Sequence, residues 1–174
     1  MPTFSIIAKR ILNPPNQTLE IYTDGAASGN PGPGGFGVVM KYGQHRKEMS
    51  GGYRLTTNNR MELLAVIVAL ESLKNSGTSG KLYSDSKYVV DAINKRWING
   101  WVAKRFNKVK NSDLWMRFYN IHKQHKIEFV WVKGHSSNVE NNRCDQLAVA
   151  ASKTKNLPPD EWYEVHRNDD VALL

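Results

Sequence analysis

Apolar and polar side chains alternate from Leu19 to Thr23. Leu19, Ile21 and Thr23 fall on one face, Glu20 and Tyr22 on the other, which is the period of a β-strand. This strand, over about 18–24, delivers Asp24 to its end, just before the turn-rich "GAASGNPGPGG". Two further strands are predicted over 35–42 and 44–53, joined by a tight hairpin at Gly43-Gln44. "TTNNRMELLAVIVALESLKNSG" reads as a helix with Thr57, Asn58 and Asn59 as capping residues and Gly77 as a stop. Its run Leu63 to Leu70 is apolar on almost every side, so this helix should be deeply buried. "GKLYSDS" is a short strand and "SKYVVDAIN" a short helix. Residues 95–111 have no clean period and predict a short helix with a projecting loop. "SDLWMRFYNIHKQH" is an amphipathic helix, "KIEFVWVKG" a fifth strand and "NVENNRCDQLAVAASKT" a last helix. Pro158-Pro159 should end regular structure and leave a loose acidic tail over 155–174.

The element order is three strands, then alternating helices and strands. The first three strands suit an antiparallel meander, and the fourth and fifth, each following a helix, suit pairing parallel to the first. The expected architecture is α/β: a mixed five-stranded sheet of order 3-2-1-4-5 flanked by helices. One domain over 17–154 follows an extension over 1–16 that ends in "NPPNQ".

Composition narrows the class. The chain has 174 residues, enough for one domain with a real core. Its single cysteine, Cys144, rules out an internal disulfide framework. The longest apolar run is too short for a bilayer, and Lys9 and Arg10 follow rather than precede the first apolar stretch. A cytoplasmic protein without membrane contact is expected, and a monomer. The net charge is +8, and its distribution is uneven. Residues 95–133 hold ten Lys/Arg and two Asp/Glu, interleaved with Trp97, Trp101, Phe106, Trp115 and Trp131. Cations among aromatics suit a polyanion with stackable bases or sugars; solvated lysines around core tryptophans are the plain alternative.

Four acidic residues stand apart. Asp24 ends the first strand and Asp85 the fourth; parallel neighbours would bring both to one sheet edge, where the strand order changes direction. Glu62 lies in the first turn of a buried helix, and Asp145 in the last helix. Each has a local alternative. Glu62 suits a capping box with Asn59, Asp85 a helix cap, and Asp145 a solvated helix surface. Four caps, however, have no reason to converge. Clustered carboxylates repel and raise one another's pKa unless cations hold them. Oxygen-only ligands point to Mg²⁺, with Mn²⁺ the alternative. Two such ions about 3.5–4 Å apart are the machinery of in-line phosphoryl hydrolysis.

"YTDG…GNPGPGG", "TTNNRMEL", "SDSKYV" and "WVKGH…N…ENNRCDQLA" together resemble type 1 ribonuclease H, in order, from about residue 18 to about 154. The resemblance implies an endonuclease that cuts the RNA strand of RNA–DNA hybrids, leaving 5′-phosphate and 3′-hydroxyl ends. Carried over by motif, the ligands of two metal ions are Asp24, Glu62, Asp85 and Asp145. Asp24 would bridge both ions, Asp145 would serve the water-activating side, and Glu62 and Asp85 the leaving-group side. His135 matches the family histidine that assists turnover by proton transfer or product release. Asn30, Asn58 and Asn59 would lie near the minor groove, and Glu62 would contact a 2′-hydroxyl. Thr57, Arg60 and Asn111 resemble a pocket for a DNA phosphate. Trp97, Trp101, Lys104, Arg105, Lys108 and Lys110 are candidates for the basic handle that grips the DNA strand. The handle departs from the bacterial pattern: it is several residues shorter, with Val102 and Ala103 where basic residues are expected and Phe106 in place of Trp. Leu55 stands where an arginine is often found, and Ala27 replaces a common cysteine.

Two other readings compete. One is a ribonuclease H domain from a reverse transcriptase polyprotein, against which the short extension and free-standing length argue. The other is a hybrid-binding module without catalysis, against which the intact carboxylate set argues.

Overall fold

A computed structural model describes residues 17–169. The extension expected over 1–16 lies outside these residues, as do residues 170–174. Five strands, β1 (Leu19–Ala27), β2 (Gly32–Tyr42), β3 (His45–Thr56), β4 (Ser79–Ser84) and β5 (Lys126–Trp131), form one sheet of order β3-β2-β1-β4-β5. β1–β2 and β2–β3 are antiparallel, whereas β1–β4 and β4–β5 are parallel. The expected mixed sheet and its strand order are therefore present. Six helices accompany it: α1 (Asn58–Glu71), α2 (Lys87–Asn94), α3 (Trp97–Ala103), α4 (Ser112–His122), α5 (Val139–Ser152) and α6 (Glu161–His166).

The period of two along β1 sorts its side chains between two layers. Ile21 joins Val38, Leu82 and Phe129 in the larger core, with Met61, Leu64 and Ile67 of α1 and Trp115 and Phe118 of α4. Tyr22 points the other way, toward Val39 and Cys144 under α5. The near-uniform apolarity of α1 has its cause here, since the helix touches β1 and β2 on one side and α4 on the other. α5 rests on glycines of β2. A Cβ on Gly37 would strike the Cys144 carbonyl, and one on Gly35 the Ala148 carbonyl, so only hydrogen at these positions lets helix backbone approach the sheet so closely.

Two expectations need correction. β1 does not end at Asp24. Pairing with β4 stops at Thr23↔Ser84, but pairing with β2 continues to Ala27↔Gly34, so the strand outlasts its parallel neighbour. Nor is the acidic tail loose over the described residues. Asp160 caps α6 and is 4% exposed, its carboxylate accepting hydrogen bonds from Thr56 Oγ1 (2.7 Å), Arg60 Nε (2.7 Å) and Arg60 Nη2 (2.9 Å). Glu164 accepts two hydrogen bonds from Arg54, at 3.0 and 2.8 Å. Tail charge, read as a solvated property, is here used to neutralise arginines of β3 and α1.

Candidate active site

The sheet register explains how the carboxylates meet. β1 and β4 are parallel neighbours, and their last paired residues are Thr23 and Ser84. The next residue of each chain is Asp24 and Asp85, so both emerge side by side, about one strand spacing apart. Gly25 lies against the α1 backbone at Met61 and Glu62, where a Cβ would clash; this close approach sets the first turn of α1 beside Asp24. One carboxylate oxygen from each of Asp24, Glu62 and Asp85 lies within 4.8 Å of the others. Asp145 does not join this trio, but the same register brings it near. Gly37 pairs with Asp24 across the sheet, and the Cys144 carbonyl sits over Gly37, so the following residue of α5 is delivered to that edge.

Local capping does not account for these side chains. α1 is capped by Thr57, whose oxygen accepts from Arg60 N (3.3 Å), so Glu62 closes no capping box with Asn59. α2 is capped by Ser86, accepting from Val89 N (3.4 Å), so Asp85 is not the cap. Asp24 accepts one backbone hydrogen bond, from Gly25 N at 2.8 Å. Glu62 Oε2 is buried and has no hydrogen-bond partner. Among the described residues, no lysine or arginine pairs with any of the four carboxylates.

The electrostatic consequence is direct. Burial, with the charges of Asp85 and Asp145 added, pushes the Asp24 carboxyl up to about 7, against a weaker opposing effect from the Gly25 hydrogen bond. Burial and the neighbouring Asp24 and Asp85 charges hold Glu62 well above the usual carboxylate range. An orphaned buried oxygen amid acceptor-only groups fits a hard divalent cation.

Around the trio, Trp131 at the end of β5 donates from Nε1 to the Asp85 carbonyl at 3.0 Å, and Lys87 Nζ lies 5.1 Å from its ring centroid. Only the contact identifies Trp131 as a support of Asp85; in the sequence it is one aromatic among several in a basic segment. Gly134 abuts the Asp85 carboxylate, so the loop bearing His135 starts beside the site. His135 is exposed, with φ 50°.

The other candidates divide. Asn30 Oδ1 accepts from Asn58 N at 3.2 Å, tying the β1–β2 loop to the start of α1, and Asn59 beside them is exposed. Thr57 is half-buried and Asn111 buried. Arg60 does not offer its guanidinium as the phosphate pocket implied. It is 1% exposed, donating to Asp113 at 2.8 and 2.7 Å as well as to Asp160, with Asn111 Oδ1 at 3.4 Å. Burial opposes its charge, yet the two carboxylates keep its pKa raised. Trp101 is half-buried and packs edge-on against Trp115, ring centroids 5.0 Å apart, so it faces the core. Trp97 is 48% exposed, and Lys104, Arg105, Lys108 and Lys110 are exposed along the loop after α3. That loop runs through left-handed backbone at Arg105, Phe106, Lys108 and Asn111.

Comparison with known proteins follows the same outline. The family model described as RNase H matches residues 16–153. A ribonuclease H of Desulforamulus reducens is 56% identical over 147 residues, covering 82% of this chain and 92% of its own length. One of Rippkaea orientalis is 52% identical over 158 residues, covering 88% and 96%. Among solved structures, LC9-RNase H1, a type 1 RNase H with the type 2 active-site motif, superposes with a TM-score of 0.70 at 29% identity, covering 91% of this chain and 85% of that one. LC11-RNase H1 in complex with an RNA/DNA hybrid superposes with a TM-score of 0.61 at 28% identity, covering 77% and 96%. This chain belongs to the type 1 ribonuclease H family.

Proposed function

We propose that this protein hydrolyses the RNA strand of RNA–DNA hybrids, using divalent ions held by Asp24, Glu62, Asp85 and Asp145. The observation that carries the reading is the trio of carboxylates with one oxygen each within 4.8 Å, together with the buried, unpartnered Oε2 of Glu62, at the edge where β1 and β4 part. Mg²⁺ is the expected ion and Mn²⁺ the alternative, two per site with substrate present. When bound, such ions lower the pKa of an attacking water and neutralise charge on the scissile phosphate.

The chain's own groups orient and discriminate. Asp24, on a strand paired on both sides up to Thr23, has little freedom and fixes the centre of the site. Glu62, in a turn pressed on Gly25, is held beside it. Attack of water on phosphorus breaks the P–O3′ bond; the water oxygen stays on the 5′-phosphate, and the 3′-oxygen takes up a proton. His135, exposed on its loop, exchanges protons with solvent and product as the phosphate leaves. Asn30, Asn58 and Asn59 present amides to the minor groove, where the 2′-hydroxyl tells RNA from DNA. Thr57 and Asn111 hold a DNA phosphate, and Arg60 orders them from below rather than touching it. Trp97, Lys104, Arg105, Lys108 and Lys110 grip the DNA strand.

The test is cleavage of RNA–DNA, RNA–RNA and DNA–DNA duplexes and single-stranded RNA of one sequence, with Mg²⁺, Mn²⁺ or chelator. Cutting should be confined to RNA in the hybrid and lost with chelator. Asp24→Asn and Asp145→Asn should each abolish cleavage and still bind hybrid. Wild-type rates in either variant would sink the metal assignment, and hybrid binding without cutting by the parent chain would make it a binding module.

A further inference from the structure

The cavity between the basic loop and the C-terminal helix has one wall, α6, that none of the motifs reaches. It measures ≈ 500 Å³. Lys108 and Lys110 line it from the loop, His166 and Arg167 from α6 and its cap, and Thr57 and Asn111 lie at its inner end. Among the described residues its lining includes a single carboxylate, Asp169. None of Lys108, Lys110 and Arg167 forms an ion pair among those residues; Glu164 is bonded to Arg54, and Asp113 and Asp160 to Arg60. Three cations without an ion pair among the described residues, against one carboxylate in the lining, make the cleft favourable for an anion.

The aromatic contents say which part of a nucleic acid fits. The Trp162 ring stacks on His166, centroids 4.5 Å apart at 17°, and the Arg60 guanidinium lies 5.1 Å from its centroid. The indole is thus engaged within the fold, and what the groove presents beside it is a set of cations. Such a groove grips phosphates rather than bases. Its inner end is the Thr57–Asn111 pair, and its loop wall is the left-handed stretch through Lys108.

We propose that α6 forms the second wall of the DNA-strand groove, with Arg167 contacting a DNA phosphate adjacent to the one at Thr57 and Asn111. The proposal rests on the functional reading above and deepens it. It enlists a segment beyond the residues, 16–153, that the family model matches. The helix is held in place by the buried Arg60–Asp160 pair and by Arg54–Glu164, so Arg167 is presented from a docked element.

Hybrid affinity measured in chelator, over a series of salt concentrations, tests this without cleavage. Arg167→Gln removes the charge and keeps an unbranched polar side chain, although a shorter one. It should weaken binding about threefold or more and reduce the slope of log K against log salt by about one. Arg167→Lys should restore the slope, which a purely structural role for the arginine would not. Lys126→Gln, at the far end of the sheet, makes the same change in net charge and should leave the slope unchanged. With neutral methylphosphonate linkages throughout the DNA strand, Arg167→Gln should have no further effect. A parent chain that does not bind hybrid overturns both this proposal and the functional reading. A parent that binds, with Arg167→Gln matching its affinity and slope, overturns the groove alone. An Arg167→Lys slope as low as that of Arg167→Gln overturns the phosphate contact. Loss of the effect with a neutralised RNA strand, but not with a neutralised DNA strand, overturns the strand assignment.

Discussion

Asp24 sits where a carboxylate is costly to ionise: 6% exposed, beside Glu62 and Asp85, with one backbone donor and no cationic side chain paired to it among the described residues. At neutral pH the metal-free fold carries that repulsion as a loss of stability. Asp24→Asn should therefore stabilise the protein in chelator by on the order of 1 kcal/mol or more, measured by chemical denaturation. Excess Mg²⁺ should raise the melting temperature of the parent, and by clearly less in the variant. A variant less stable than its parent in chelator would mean that Asp24 is satisfied by something other than a cation. Arg60 shows the opposite case at the same scale. It is buried with two carboxylates, and its side chain serves the fold before it serves substrate.

At the scale of strands and helices, the site depends on how closely α5 approaches β2. Gly37 is opposite Asp24 in the register and directly under the Cys144 carbonyl. Gly37→Ala should push α5 outward and shift Asp145 from the carboxylate edge. The expected result is a loss of about 1–3 kcal/mol by overpacking, with cleavage falling by an order of magnitude or more. Cleavage at the parental rate, measured where the variant is fully folded, would uncouple α5 from the site. α4 carries a different kind of strain near its end. His122 stacks on Phe118, centroids 5.0 Å apart, and its Nδ1 is buried without a partner. Burial and the nearby His125 lower its pKa. A histidine kept neutral in the fold contributes stability that is present above its unfolded value, near 6.5, and is lost as pH falls from there through the folded value. His122→Phe should flatten the loss of stability below about pH 6.5, by up to about 1 kcal/mol per pH unit. An identical acid limb in both proteins would remove His122 as its source.

Across the protein as a whole, the C-terminal segment is bound to α1 through the buried Arg60 and to β3 through Thr56 and Arg54. Asp160→Ala would leave Arg60 with Asp113 as its one carboxylate and Thr56 Oγ1 without its acceptor. Breaking such a pair should cost about 3 kcal/mol and release α6, exposing the segment after Thr154 to limited proteolysis at a rate the parent does not show. Unchanged stability and protection would mean that α6 is held by its packing. No helix among the described residues is long and apolar enough to cross a membrane.

Much of this arrangement can be read in one dimension because it has local causes. The strand order follows from strand and helix periods, chain connectivity and the short hairpin after Tyr42. The positions of Asp24, Glu62, Asp85 and Asp145 follow from motifs whose spacing is linear. Contacts between residues far apart in the chain have no such signature. Nothing in "PPDEWYEVH" announces that Asp160 will neutralise Arg60, 100 residues earlier, and net acidity looks the same whether a tail is solvated or docked. The same holds for Trp101, which faces Trp115 rather than solvent, and for Trp131, whose indole finds the Asp85 carbonyl 46 residues away. Periodicity decides which face of an element is apolar. Only packing decides what that face meets, because burial, charge compensation and the last unpaired hydrogen bonds depend on neighbours brought together by the completed sheet.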